Sequence, residues 1–86
     1  MNYLISYDIE DNKRRKKISD LLEGYGVRVN YSVFEFYLTQ KELDEIIKEA
    51  KQILNKKKDS FRVYRVCENC VQKSFELCKR GDVFKF

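Results

Sequence analysis

Histidine and proline are missing from this 86-residue chain, and only three glycines occur in it. Without histidine, the chain lacks both the commonest general base and the commonest side-chain ligand of metals in proteins. Because proline is absent and glycine is scarce, we do not expect long irregular loops. No apolar run is long enough to span a membrane, and the N-terminal residues do not have the pattern of a signal peptide. These absences favour a cytoplasmic protein in which any catalysis uses groups other than imidazole.

The residues that are present indicate one small folded domain. Hydrophobic residues make up 43% of the chain and aromatic residues 14%, which argues against disorder. We therefore expect residues 1–86 to form a single domain. A chain of this size builds only a modest core, so further burial by oligomerisation is expected to help it. The net charge of +4, with both signs abundant, permits a nucleic-acid partner without establishing one.

Hydrophobic periodicity divides the chain into strands and two amphipathic helices. Strands are predicted at residues 3–9, 27–38, 61–67, 71–78 and 83–86. The first helix is predicted to start from a cap at Asp11 or Asn12 and to run to about Glu23. Residues 24–26, Gly-Tyr-Gly, are expected to end it, with glycine in the left-handed conformation. Thr39 and Glu42 form the pattern of a capping box, which predicts the start of the second helix.

Two amphipathic helices that alternate with strands favour an α+β fold of the ferredoxin-like βαββαβ type with a short extra C-terminal strand. Both helices would cover one face of the sheet and leave the other face without a cover. Because segment 27–38 is apolar on both sides, the uncovered face would expose apolar surface, which usually indicates a partner. We therefore predict a homodimer packed through the sheet, with Phe34 and strand 83–86 as its contact elements.

The stretch "YDIEDNKRRKK", residues 7–17, places three acids before five consecutive bases. On a helical wheel, Arg14 lies within the apolar stripe and Arg15 at its edge, so both are predicted to project over the sheet. Asp8, at the end of the first strand, is expected to lie against these two arginines. The three lysines of the run point to solvent. Basic residues in the first turn interact unfavourably with the helix dipole. Their presence there is explained either by an ordinary solvated face or by an anionic ligand.

Asp8 stands at the end of the first predicted strand. An aspartate in this place is often a cap or a turn residue. It is also a candidate ligand of Mg²⁺, which commonly binds one or two carboxylates together with waters and substrate phosphates. A dimer would supply two copies of Asp8, and a divalent cation could provide the activation that histidine cannot provide here.

The stretches "YDIEDNKRR" and "YGVRVNYSVFE" resemble the CRISPR-associated endoribonuclease family, the small dimeric subunit of the spacer-acquisition machinery. The resemblance covers nearly the whole chain and includes the Cys-x-x-Cys of "VYRVCENC". The matching residues are Tyr7, Asp8, Ile9, Arg15, Gly26, Arg28, Val29, Ser32, Val33, Phe34 and Glu35. Asn30 departs from the pattern, because the family usually has glutamine there.

The resemblance implies a ferredoxin-like homodimer with Mg²⁺ or another divalent cation held by two Asp8 carboxylates. It implies a role in spacer integration, in complex with a CRISPR-associated integrase and double-stranded DNA. It also implies metal-dependent endonuclease activity on single-stranded RNA or DNA. The candidate site residues are Asp8 as catalytic residue and metal ligand, Arg14, Arg15, Lys17 and Arg28 as nucleic-acid-binding residues, and Tyr7 and Phe34 as supporting residues. Of these, Arg14 and Lys17 come from the basic run of the first helix and are not among the residues that match the family.

Two other functions stay open from the residues alone. One is a toxin-like ribonuclease of the same fold that works without partners. The other is a ferredoxin-like regulatory module, in which aromatic side chains of segment 27–38 would line a pocket for a small ligand.

The three cysteines are Cys67, Cys70 and Cys78. They supply three of the four ligands of a structural zinc site, with Glu68, Asp82 or a partner chain as candidates for the fourth. Reduced thiols without a metal are the favoured interpretation, because free thiols are common in a reducing compartment and the three cysteines leave the fourth zinc ligand missing.

Overall fold

The computed structural model describes residues 2–66 and 82–85. Within these ranges the chain forms β1 (Asn2–Asp8), α1 (Asn12–Glu23), β2 (Val27–Asn30), β3 (Val33–Tyr37), α2 (Gln40–Ile53), β4 (Ser60–Val66) and β5 (Asp82–Lys85). All the strand pairings are antiparallel, and the strands form one sheet in the order β2-β3-β1-β4-β5. This confirms the predicted ferredoxin-like βαββαβ fold with an added C-terminal strand.

The central strand β1 separates two different faces of the sheet. Tyr3, Ile5 and Tyr7 belong to the hydrophobic core, which both helices line. The helix residues of this core are Ile18 and Leu22 of α1 and Leu43, Ile46 and Ala50 of α2. Because side chains alternate along a strand, Leu4, Ser6 and Asp8 lie on the opposite face, called here the helix-free face.

Local signals in the sequence fix the start of each helix. The side chain of Asp11 accepts a hydrogen bond from the backbone N of Arg14 (2.8 Å), so Asp11 is the N-cap of α1. At α2, the backbone N of Glu42 donates to Oγ1 of Thr39 (3.2 Å), and the backbone N of Thr39 donates to Oε1 of Glu42 (3.0 Å). Both predicted starts are confirmed.

The prediction of one long strand over residues 27–38 was wrong. The segment is a hairpin, in which β2 and β3 are joined by a turn at Tyr31 and Ser32. The side chain of Asn30 accepts a hydrogen bond from the backbone N of Tyr31 (2.7 Å), which supports the turn locally. Segment 27–38 is largely apolar and has no glycine at its turn, so its sequence gives little indication that the chain reverses direction there.

The prediction of a left-handed glycine after α1 was also wrong. Gly24 is right-handed, with φ −70° and ψ −16°. At Gly26 the requirement for glycine is steric. A Cβ on it would lie 2.4 Å from Cδ2 of Phe36 and 2.5 Å from the carbonyl oxygen of Glu35. Glycine is therefore needed at Gly26 because the backbone passes close to a buried aromatic ring.

The remaining predicted elements divide between the described and undescribed parts of the chain. Strands β4 and β5 confirm the predicted strands at 61–67 and 83–86 to within about a residue at the ends that the structure describes. The predicted strand at 71–78 and the cysteines Cys67, Cys70 and Cys78 lie outside the described residues. In the described ranges, neither helix has the length and apolar character needed to cross a bilayer.

Candidate metal and nucleic-acid site

The C-terminal end of β1 is where the candidate functional residues begin. Asp8 is exposed there, on the helix-free face, and is paired in register with Ser60 of β4. On the other side of β1, the backbone N of Tyr7 donates to the carbonyl oxygen of Ser32 (3.1 Å). The Asp8 carboxylate therefore stands between the start of β4 and the β2–β3 turn.

The donor set at Asp8 fits a cation of the magnesium type. Asp8 makes no ion pair with another described residue, so its carboxylate is available to a ligand. Residues 2–66 and 82–85 contain no group of three or more acidic or cysteine side chains that could enclose a metal within one chain. An Mg²⁺ site does not need such a group, because one or two carboxylates, together with waters and substrate phosphates, complete the coordination of the ion.

Arg14 points inward, as predicted, but its guanidinium already has a carboxylate partner. Its Nε lies 2.8 Å from Oδ2 of Asp59, and its Nη2 lies 3.1 Å from Oδ1 of the same side chain. The Asp59 side chain is fully buried and also accepts a hydrogen bond from the backbone N of Asn55 (2.8 Å). Burial raises the pKa of Asp59, but the bonds from Arg14 and Asn55 outweigh burial and lower it overall.

Arg15 holds the loop that follows Asp8. Its Nη1 donates to the carbonyl oxygens of Ile9 (3.1 Å) and Glu10 (3.3 Å), and its Nη2 donates to the side chain of Asn12. The structure places Arg14 and Arg15 on the helix side of the sheet, whereas Asp8 lies on the helix-free face. The expected placement of Asp8 against these two arginines was therefore wrong, because successive residues of a strand point to opposite faces.

Arg28 connects the β2–β3 hairpin to α1. Its Nη1 donates to the carbonyl oxygen of Tyr31 (2.6 Å). Its Nη2 donates to Oγ of Ser19 (2.6 Å) and to Oε1 of Glu23 (3.0 Å). The hydrogen bond with Glu23 raises the pKa of Arg28. Arg28 therefore has hydrogen-bond partners both in the hairpin and on α1.

Tyr7 and Phe34 form a buried support beneath these groups. The two rings stack with centroids 6.3 Å apart, and the guanidinium carbon of Arg28 lies 4.7 Å from the centroid of Phe34. Phe34 is fully buried on the helix-covered face. The expectation that Phe34 contacts a second subunit was therefore wrong.

The exposed positive charge near α1 is carried by lysines. Lys16 pairs with Asp20 (3.1 Å), whereas Lys13 and Lys17 are exposed and make no ion pair within the described ranges. A turn after α2 presents Lys56, Lys57 and Lys58, and Lys58 lines an open cavity together with Arg14. Lys13, Lys17 and Lys56–Lys58 are called the lysine surface below.

A second concave region lies between α1 and the hairpin. It has a volume of about 290 Å³, with Arg15 and Lys16 on the helix side and Arg28 and Tyr31 on the hairpin side. We call it the hairpin groove. The sequence predicted neither the turn at Tyr31 nor the buried position of Asp59. For Asp59 no local signal exists, because its partner lies 45 residues away.

The fold and these residues define a small ferredoxin-like protein with an exposed carboxylate at a strand end and a basic first helix. Residues 1–74 match the family described as CRISPR associated protein Cas2. The chain therefore belongs to the Cas2 family.

Relatives and solved structures agree with this assignment. The chain is 52% identical over 62 residues to the CRISPR-associated endoribonuclease Cas2 3 of Synechocystis sp., covering 72% of this chain and 67% of that protein. The crystal structure of Streptococcus pyogenes Cas2 at pH 6.5 superposes with a TM-score of 0.79 and 33% identity, over 85% of this chain and 94% of that one. A chain of a partial Cas6-RT-Cas1–Cas2 complex matches with a TM-score of 0.70 and 31% identity, over 83% of this chain and 78% of that one.

Proposed function

We propose that this chain acts in CRISPR adaptation as a homodimeric, double-stranded-DNA-binding scaffold that works with a Cas1 integrase. We further propose that it carries a metal-dependent endonuclease activity at Asp8. The endoribonuclease name of the Synechocystis relative supports the activity, and the similarity to a chain of a Cas1–Cas2 complex supports the partner. The observation that carries the proposal is the exposed Asp8 carboxylate at the end of β1, on the face that neither α1 nor α2 covers.

The proposed second subunit would pack on the helix-free face. Tyr37 and Val27 have 81% and 70% of their surfaces exposed, and both lie on this face because their strand partners, Asn2 and Glu35, do. A second copy would bury such apolar surface and bring two Asp8 carboxylates together. Two carboxylates so placed repel each other unless a cation lies between them, so cation binding and dimer formation should strengthen each other.

Within this proposal, the residues around Asp8 have separate tasks. Asp8 would hold Mg²⁺ or a similar cation, which supplies positive charge to a bound phosphate when present. Arg15 fixes the carbonyls of Ile9 and Glu10, and therefore sets where the chain after Asp8 runs. Arg14 holds the start of α1 against Asp59. Lys17, with the rest of the lysine surface, would bind the phosphates of DNA.

Replacing Lys13 and Lys17 together with alanine is expected to weaken the salt dependence of duplex binding. Each phosphate that a cation neutralises contributes about 0.9 to the slope of log affinity against log salt. Because both lysines are exposed and make no ion pair within the described ranges, the double variant should lose up to about 1.8 of this slope. Fluorescence anisotropy with a labelled duplex, repeated from low to moderate salt, measures the change.

The matched control removes the same charge from the other helix. Lys41 and Lys48 of α2 are also exposed, so a Lys41→Ala/Lys48→Ala variant has the same net charge as the test variant. Its slope should stay near that of the unmodified protein. Equal slopes for all three proteins would place the DNA on another surface.

The structure offers no support for the small-ligand alternative. Phe34 and Phe36 are buried in the core, and Tyr31 and Tyr37 are largely exposed, so these aromatic side chains of segment 27–38 do not enclose a pocket together. The stand-alone ribonuclease shares Asp8 with the proposed function and differs from it in needing no integrase. Co-purification with the integrase separates these two functions.

A further inference from the structure

Tyr31 is an exposed aromatic residue on a backbone that is held at both ends. Its side chain is 75% exposed at the tip of the hairpin. Its backbone N donates to the side chain of Asn30 (2.7 Å), and its carbonyl oxygen accepts from Arg28 (2.6 Å). Arg28 in turn is bonded to Ser19 and Glu23 of α1. The ring is thus presented from a fixed position, which reduces the entropy lost when a ligand binds it.

The surroundings of Tyr31 suit a phosphate-bearing ligand. Tyr31 lines the hairpin groove, whose opposite side carries Arg15, Lys16 and Asp20, the carboxylate that pairs with Lys16. The next residue, Ser32, accepts a hydrogen bond from the backbone N of Tyr7, so the turn lies directly beside the strand end that carries Asp8. A base stacked on Tyr31 would have its phosphates in the hairpin groove, near Arg15 and Lys16.

We propose that Tyr31 is a stacking platform for one base of a single-stranded polynucleotide that lies along the hairpin groove. The proposal deepens the function proposed above, because it assigns to the single-stranded substrate a surface separate from the lysine surface. Stacking on a protein ring requires an unpaired base, since the faces of duplex bases are occupied by their neighbours. Duplex DNA would instead be held through its phosphates by the lysine surface.

The first test measures binding of end-labelled single-stranded 12-mers, one of RNA and one of DNA, by fluorescence anisotropy in EDTA. Base stacking on a protein aromatic corresponds to roughly a 5- to 150-fold change in affinity for each base. Tyr31→Ala should weaken single-strand binding by about tenfold and leave duplex binding unchanged. Tyr31→Leu should lose the same factor because it keeps the bulk without the ring, and Tyr31→Phe should bind within about twofold of the unmodified protein because it keeps the ring.

The second test uses oligonucleotides with one abasic position, moved along the strand. At one position, loss of the base should weaken binding to the unmodified protein by the same factor as Tyr31→Ala. At that position, the Tyr31→Ala protein should show no further loss. This non-additivity marks a base and a ring that act on each other.

Three results would overturn the proposal: unchanged single-strand binding by Tyr31→Ala, an equal loss of duplex binding, or a change of sedimentation coefficient showing that Tyr31 contacts a second subunit. Because binding is measured in EDTA, these results do not depend on cleavage. The Asp8→Asn protein should keep the whole effect of Tyr31. A failure of the proposed nuclease activity and a failure of the stacking platform are therefore distinguishable.

Discussion

Asp8→Asn is expected to reduce divalent-metal-dependent strand cleavage by about a hundredfold or more. The substitution keeps the shape of the side chain and removes the charge that would hold the cation. Because Asp8 is exposed and makes no ion pair with another described residue, its loss should leave the stability of the fold within about 0.5 kcal/mol. Cleavage of a labelled single strand, followed with and without EDTA, measures the effect.

The control for this experiment is Glu10→Gln, which removes another exposed carboxylate two residues further along the chain. Glu10 lies beyond the end of β1, and Arg15 contacts its backbone carbonyl. The Glu10→Gln protein should cleave at the normal rate. Cleavage by Asp8→Asn that matches the unmodified protein and ignores EDTA would show that the chemistry is elsewhere, with Tyr7 and the neighbouring lysines to be tested next.

Arg14→Met is expected to destabilise the fold by about 3 kcal/mol at neutral pH. The methionine keeps much of the side-chain bulk but leaves the carboxylate of Asp59 buried without its cation. Urea unfolding followed by circular dichroism gives the free energy of unfolding. Lys13→Met is the control, because Lys13 is exposed on the same turn and should cost less than about 0.5 kcal/mol.

Acidification should reduce the contribution of Asp59 to the stability of the unmodified protein and should have the opposite effect in Arg14→Met. In the unmodified protein the pKa of Asp59 lies below its ordinary value of 3.8, so its contribution to stability is present above pH 3.8. This contribution is lost as the pH falls through the lowered pKa. In Arg14→Met, burial without the cation should raise the pKa of Asp59 above 3.8, so the destabilisation should shrink on acidification. A deficit that grows at low pH, or none at any pH, would contradict this account of the pair.

The sequence allowed the elements with local signals to be predicted. The cap at Asp11 and the capping box at Thr39 mark both helix starts, and the wheel placed Arg14 and Arg15 inward and the lysines outward. Family resemblance then supplied Asp8. These predictions needed only contacts between residues a few positions apart, or a match to a known pattern.

The missed features either depend on a contact between distant segments or lie outside the apolar pattern from which the strands were predicted. The partner of Arg14 is Asp59, which comes from the loop after α2 and shows no pattern of its own. The turn at Tyr31 is stabilised by Arg28 together with Asn30, so its position could not be read from apolar residues alone. The sheet face of Asp8 follows once β1 is known to bury Tyr7, and this fact separates Asp8 from the arginines.

In the proposed function, two copies of this chain hold one divalent cation between their Asp8 carboxylates. Titration of the purified protein with Mn²⁺, with free Mn²⁺ followed by electron paramagnetic resonance and mass followed by sedimentation equilibrium, tests it without any cleavage assay. We expect one Mn²⁺ for each dimer, a dimer that Mn²⁺ strengthens, and loss of this binding in Asp8→Asn. A monomer at every Mn²⁺ concentration, or a dimer that binds Mn²⁺ equally well after Asp8→Asn, would contradict it.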